Sequence, residues 1–235
     1  MCLMSTARRE QRPGQVLLCY ITDRQQFPGD RGEQQLRLLE KISECTAAGV
    51  DYVQLREKDL STRALEELAR KAADAVLRGS PTKLLINSRI DVAMACGAHG
   101  VHLPARDLPA SEARAIWDRA GLTPAVIGVS THSPEEVAQA EAHGTDVAVL
   151  GPVFEKDGQR NLRGLDLLRQ ACQRPFGAAA TMPVLALGGV TPANGQHCLD
   201  AGAAGLSGIR LFQENDVERI VSELRAMRIV GKSRG

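Results

Sequence analysis

At 235 residues, with 43% hydrophobic and 24% charged residues, the chain has the length and composition of one large α/β domain rather than of a disordered or fibrous protein. Its 29 Lys and Arg are matched by 28 Asp and Glu, so no bulk field draws it to nucleic acid or an anionic membrane, and any anion site must be local. Aromatics at 3% exclude stacking platforms for single strands, and no apolar run approaches the roughly 20 residues of a bilayer span.

The first residues carry Arg8, Arg9, Glu10 and Arg12 with no apolar stretch after them, which is not a secretory pattern. Residues 1–15 read as a tail, 16–228 as the folded domain and 229–235 as a second tail. Short apolar runs predict strands at Leu17–Thr22, Tyr52–Arg56, Lys83–Asn87, Gly100–Leu103, Ala125–Ser130, Val147–Val153, Pro183–Leu187 and Gly205–Ile209. Between them lie helical patterns, such as Leu65, Leu68, Ala69, Ala72, Ala73 and Val76 within Thr62–Arg78. Gly29-Asp30-Arg31-Gly32 reads as a loop.

Gly49, Gly97, Gly144 and Gly202 each follow a helical pattern and precede a strand, as glycines ending helices in the left-handed conformation do. Their spacing fits two βα units per interval, and eight strands each followed by a helix predict a (β/α)8 TIM barrel. An open doubly wound sheet would leave eight strands without a preferred switch point. Cysteines at 2, 19, 45, 96, 172 and 198 form no Cys-x-x-Cys pair, which points to a reducing, cytoplasmic setting. Barrels of this size often pair through their helices, so a homodimer is an expectation; nucleic acid and membrane partners are not.

Chemistry in such a barrel sits where the strands end. The second strand runs into Gln54-Leu55-Arg56-Glu57-Lys58-Asp59, and alternation puts Gln54, Arg56 and Lys58 on one face as an anion clamp. Asn87 either caps the next helix or faces a ligand. Asp107 is a candidate Mg²⁺ ligand or a helix-start residue ahead of Leu108-Pro109. Ser130 and His132 end the fifth strand; Ser133, Pro134 and Glu136 read as a capping box that leaves His132 available for proton transfer. Gly188-Gly189 and Ser207-Gly208 occupy the turns where barrels bind phosphate on backbone amides. Arg210 follows them as a further anion partner. His99, His102, His143 and His197 show no ligand spacing and read as turn or surface residues, and Trp117 as helix packing.

In order, these segments carry a resemblance. Tyr20-Ile21-Thr22-Asp23, Val53 to Leu60, Leu85 to Ala93, Gly100-Val101-His102-Leu103, Ile127 to Ser133, Leu150 to Phe154, Gly164 to Leu168 and Ala186 to Val190 together resemble the thiamine phosphate synthases and their relatives, the thiazole tautomerases. The resemblance implies coupling of a pyrimidine methyl diphosphate to a thiazole phosphate, with Mg²⁺ assisting departure of diphosphate. It implies that Gln54, Arg56, Lys58, Asn87 and Lys156 contact substrate, with Lys58, Ser130 and His132 at the chemistry. It also implies that Asp107 holds Mg²⁺ and that Gly188, Gly189, Ser207 and Gly208 hold the thiazole phosphate.

Three departures stand out. Ser88 occupies the place of a family aspartate, Pro104-Ala105 replaces a Gly-Gln pair, and Glu155-Lys156-Asp157-Gly158-Gln159-Arg160 replaces a Thr-x-Thr-Lys loop. A tautomerase using His132 on a thiazole carboxylate phosphate, and a barrel that binds thiazole or thiamine phosphate without catalysis, are the alternatives.

Overall fold

Alternation of side chains along each short apolar run sorts them onto two faces, one toward the helices and one toward the barrel axis. The protein, described here from a computed structural model covering residues 14–76, 80–155, 162–173 and 182–229, closes these runs into a barrel. The strands are β1 (Leu17–Ile21), β2 (Tyr52–Leu55), β3 (Lys83–Asn87), β4 (Gly100–Leu103), β5 (Val126–Thr131), β6 (Val147–Leu150), β7 (Val184–Ala186) and β8 (Gly205–Gly208). All neighbours are parallel, and β8 returns to β1 through the register Leu17 with Gly205 to Tyr20 with Gly208.

Around the barrel lie α1 (Arg31–Ala47), α2 (Thr62–Ala75), α3 (Ile90–Ala95), α4 (Ala110–Arg119), α5 (Pro134–Ala142), α6 (Leu162–Cys172), α7 (Pro192–Asp200), the short α8 (Arg210–Gln213) and α9 (Val217–Ala226). Outward residues such as Leu18, Tyr20, Val53, Leu55, Leu84 and Ile86 pack against these helices. Leu17, Cys19, Ile21, Val147, Val149 and Leu185 form a separate cluster on the barrel axis. Trp117 is buried on α4 and its Nε1–H donates to the Thr123 carbonyl at 2.8 Å. Burial pushes the Cys19 thiol up to about 12, as expected of an inert core thiol.

Two sequence expectations need correction. Gly29-Asp30-Arg31-Gly32 is not wholly a loop, because Asp30 caps α1: its carboxylate accepts from the Gly32 and Glu33 amides while Glu33 reaches back to the Asp30 amide. A capping box of this kind is worth about 1 kcal/mol and draws Arg31 and Gly32 into the first turn. The sixth strand stops at Leu150 rather than Val153, since Pro152 brings no amide hydrogen. Val153 and Phe154 instead donate to the carbonyls of Leu187 and Gly188. The assigned tails lie largely outside the described residues; of them Gly14, Gln15 and Ile229 are described.

All four helix-ending glycines have positive φ, from 69° at Gly97 to 102° at Gly202. Two positions beyond three of them a side chain reaches across to the preceding strand. Asp51 accepts the Leu18 amide at 2.8 Å, His99 Nδ1 accepts the Leu84 amide at 3.1 Å, and Asp146 accepts the Ile127 amide at 2.8 Å. An arginine completes two of these. Arg225 from α9 spans Asp51 and the carbonyls of Gly49 and Val16; Arg114 from α4 spans Asp146 and the carbonyls of Gly144 and Ala125.

The two clasps differ in burial. The Asp51 side chain is 4% exposed against 41% for Asp146. Arg225→Ala should therefore cost about 3–5 kcal/mol in denaturant unfolding by stranding a buried carboxylate. Arg114→Ala should cost about 1 kcal/mol or less. Equal costs would contradict the assignment.

Candidate active site

The last inward residues of four successive strands are polar. Gln54 on β2 lies one strand from Asn87 on β3, Asn87 stands opposite His102 on β4, and Ser130 follows on β5. They are joined in pairs: Gln54 Nε2 donates to Asn87 Oδ1 at 2.9 Å, and His102 Nε2 lies 2.9 Å from Ser130 Oγ. Asn87 therefore serves the rim rather than capping α3, whose N-terminus has no side-chain cap. Gln54 is 2% exposed and its Oε1 is buried without a partner, an acceptor held ready for a donor.

His102 corrects the sequence reading. It is 2% exposed and belongs to this rim, not to a turn or the surface. Burial, with a smaller contribution from the Arg56 charge, lowers its pKa to about 4, so it is neutral at physiological pH. Room for its ring comes from the next strand, where a Cβ on Gly128 would stand 2.7 Å from His102 Nδ1. The inward-facing pair Gly100 and His102, beside a strand bearing Gly128, is the signal that alternation offers for this placement.

Beyond β2 the chain turns. Arg56 is half-buried with its amide donating to Thr22 Oγ at 2.9 Å, and Lys58 is exposed. Between and after them, Glu57 and Asp59 turn to Arg24, a buried residue that sequence reasoning missed. Hydrogen bonds from Arg24 hold the Asp59 carboxyl down at about 2, whereas burial raises that of Glu57.

On the β3–β4 side, Ser88 adopts φ 65° and its hydroxyl donates to Asp107 Oδ2. Asp107 Oδ1 accepts the Leu108 amide at 2.8 Å. At β5, His132 is exposed and its Nδ1 lies 2.6 Å from the Gly151 carbonyl. A carbonyl only accepts, so Nδ1 carries the proton and Nε2 keeps the free lone pair. Ser133 caps α5 and Glu136 bonds the His132 amide at 2.6 Å instead of closing a reciprocal box. Lys156 lies outside the described residues.

Across the mouth, a cleft of about 340 Å³ is lined by Gly188, Gly189, Thr191, Ser207, Gly208 and Arg210 among others. Gly188 and Gly189 have φ 97° and 59°, and their amides have no partner among the described residues. A Cβ on Gly189 would stand 2.1 Å from the Glu155 carbonyl oxygen, and one on Gly188 2.7 Å from Pro152 Cα. The two glycines thus let this turn pack against the segment after β6 while leaving their amides unspent. Ser207 is fully buried and its hydroxyl donates to the Ala186 carbonyl at 3.0 Å, so its backbone rather than its hydroxyl borders the cleft. Among the described residues no group of three or more His, Cys, Asp or Glu could hold a metal ion, and no helix is long and apolar enough to cross a membrane.

A closed barrel with a polar rim, two cations and a glycine cleft at one mouth is the architecture of a single-domain barrel enzyme. The family model for thiamine monophosphate synthase matches residues 18–212. Thiamine-phosphate synthase of Halalkalibacterium halodurans is 36% identical over 184 residues, covering 78% of this chain and 82% of that protein. The enzyme of the same name from Caldanaerobacter subterraneus is 34% identical over 220 residues, covering 92% and 95%. The solved thiamine phosphate pyrophosphorylase of Pyrococcus furiosus superposes with a TM-score of 0.71 at 29% identity, covering 89% of this chain and 94% of that one. The chain belongs to the thiamine monophosphate synthase family.

Proposed function

We propose that the protein couples a pyrimidine methyl diphosphate to a thiazole phosphate, giving thiamine phosphate and free diphosphate. The observation that carries this reading is the division of one mouth into two anion-attracting halves: Arg56 and Lys58 beside a neutral polar rim, and the unspent amides of Gly188 and Gly189 across from them. Two phosphorylated substrates need two such places.

On this reading Arg56 and Lys58 bind the diphosphate and take up the negative charge that grows on it as it leaves. Gln54, through its unpaired Oε1, accepts from an amino group of the pyrimidine, and Asn87 fixes the Gln54 amide. Ser130 approaches the same ring with its hydroxyl oriented by His102. Gly188, Gly189 and the backbone of Ser207 and Gly208 hold the thiazole phosphate, with Arg210 near. Lys156 is assigned to the diphosphate side through the family resemblance.

Mg²⁺ fits this donor set narrowly. Asp107 supplies one carboxylate, hard oxygen of the kind Mg²⁺ takes alongside substrate phosphates. Ser88 spends its hydroxyl on that carboxylate. Asp107 would hold the ion, and when bound the ion would stabilise charge on the diphosphate oxygens. A cytoplasmic setting and a homodimer complete the reading.

A direct test follows from Ser88. Ser88→Asp adds a second carboxylate and should lower the Mg²⁺ concentration giving half-maximal coupling, whereas Asp107→Asn should raise it. The two effects should be non-additive in the double variant because the groups share one ion. Titrating Mg²⁺ against thiamine phosphate formation reads all three; additive effects, or none, would reject the site. An unchanged, Mg²⁺-independent thiazole isomerisation lost only in His132→Ala would favour the tautomerase instead.

A further inference from the structure

Arg56-Glu57-Lys58-Asp59 alternates two cations with two carboxylates, and if all four reached the mouth an anion would meet no net charge. The fold separates them through Arg24. Glu57 Oε2 accepts from Arg24 Nη1 at 2.9 Å, and Asp59 accepts from Nη1 at 2.7 Å and Nη2 at 2.5 Å. Glu57 also accepts from the Thr22 hydroxyl at 2.7 Å and the Arg24 amide at 3.2 Å. Thr22 Oγ in turn receives the Arg56 amide, so the network ends on the backbone that carries the clamp. Arg24 and Glu57 side chains are 5% and 1% exposed, while Asp59 is 41% exposed and reaches solvent. Neither Arg56 nor Lys58 forms an ion pair among the described residues.

We propose that Arg24 is a positioning residue for the diphosphate half of the site: it draws both carboxylates away from the ligand, so that Arg56 and Lys58 act as unopposed cations on a fixed turn. The inference rests on the reading of Arg56 and Lys58 as diphosphate ligands. Its functional element is Asp59, which is exposed enough to swing toward the mouth once released. Glu57 is buried, and loss of its partner favours its protonated form.

The test is calorimetric titration of inorganic pyrophosphate into the wild type, Arg24→Gln, Arg24→Lys and the double variant Arg24→Gln with Asp59→Asn, with thermal melts recorded for each. Arg24→Gln should bind pyrophosphate about tenfold more weakly, with the deficit shrinking as salt rises. Adding Asp59→Asn should recover most of the loss, because the released charge is gone. A purely scaffolding arginine would give a double variant no better than the single one. Should Arg24→Gln not fold, Arg24→Lys carries the test: it keeps a cation without the two-pronged geometry, should lose a smaller factor, and should likewise recover with Asp59→Asn. Unchanged affinity in a folded Arg24 variant, or no recovery with Asp59→Asn, overturns the proposal. Failure of the wild type itself to bind pyrophosphate would instead overturn the assignment of Arg56 and Lys58, and the inference with it.

Discussion

Lys58→Ala is expected to weaken diphosphate binding ten- to a hundredfold while leaving thiazole phosphate binding nearly intact. The side chain is exposed at the turn after β2 and makes no ion pair among the described residues, so its removal strands no buried charge and should barely alter folding. What is lost is a charge-assisted contact to an anion, worth about 1.5–3 kcal/mol, which is that range in affinity. The thiazole phosphate should be indifferent because its cleft is lined from β7, β8 and the segments after them, with unpaired glycine amides as donors. Calorimetry with each ligand separately reads the asymmetry. Equal loss for both would mean that the mouth has no separate diphosphate half.

A second large effect concerns acid stability. His102 is fully enclosed and its pKa is lowered to about 4, chiefly by desolvation and further by Arg56, whereas in the unfolded chain it titrates near 6.5. Between those values the unfolded chain binds a proton that the folded one does not. Stability must therefore fall as pH drops from about 6.5 to 4 and become insensitive to this group below 4. The full loss is on the order of 3 kcal/mol. His102→Gln, which keeps a neutral polar group toward Ser130, should flatten this part of the curve in urea unfolding measured at intervals of pH. A variant with the same slope as the wild type would show that His102 is not the buried titrating group. Asp59 has the opposite kind of shift: its contribution is full above the ordinary carboxylate range and is lost as pH falls toward 2, so the two windows do not coincide.

Much of this molecule is legible in its sequence because barrel strands are short, buried and bounded by glycines. Lys83–Asn87 and Gly100–Leu103 follow from apolar runs alone, and Gly49, Gly97, Gly144 and Gly202 mark helix ends that only a left-handed residue closes well. Gln54, Asn87 and Ser130 are likewise readable as strand-end residues on the inward face.

What was not legible depends on contacts between distant segments. Arg24 meets Glu57 and Asp59 across the β1–β2 interface, and no local pattern tells that arginine from a surface one. His102 was misread because spacing for metal ligands was the criterion applied to it; the residue instead fills a space left by Gly128, on a strand that pairs with its own. Arg225 and Asp51 pair over an interval of 174 residues, which hydrophobic periodicity does not encode.

The most direct measurement is the reaction itself: purified protein with pyrimidine methyl diphosphate, thiazole phosphate and Mg²⁺, scored at once for thiamine phosphate and inorganic diphosphate. The account predicts equal amounts of the two products, formed only when both substrates are present, and still formed by His132→Ala. Diphosphate release without thiamine phosphate, or a changed thiazole isomer with no diphosphate released, would contradict it.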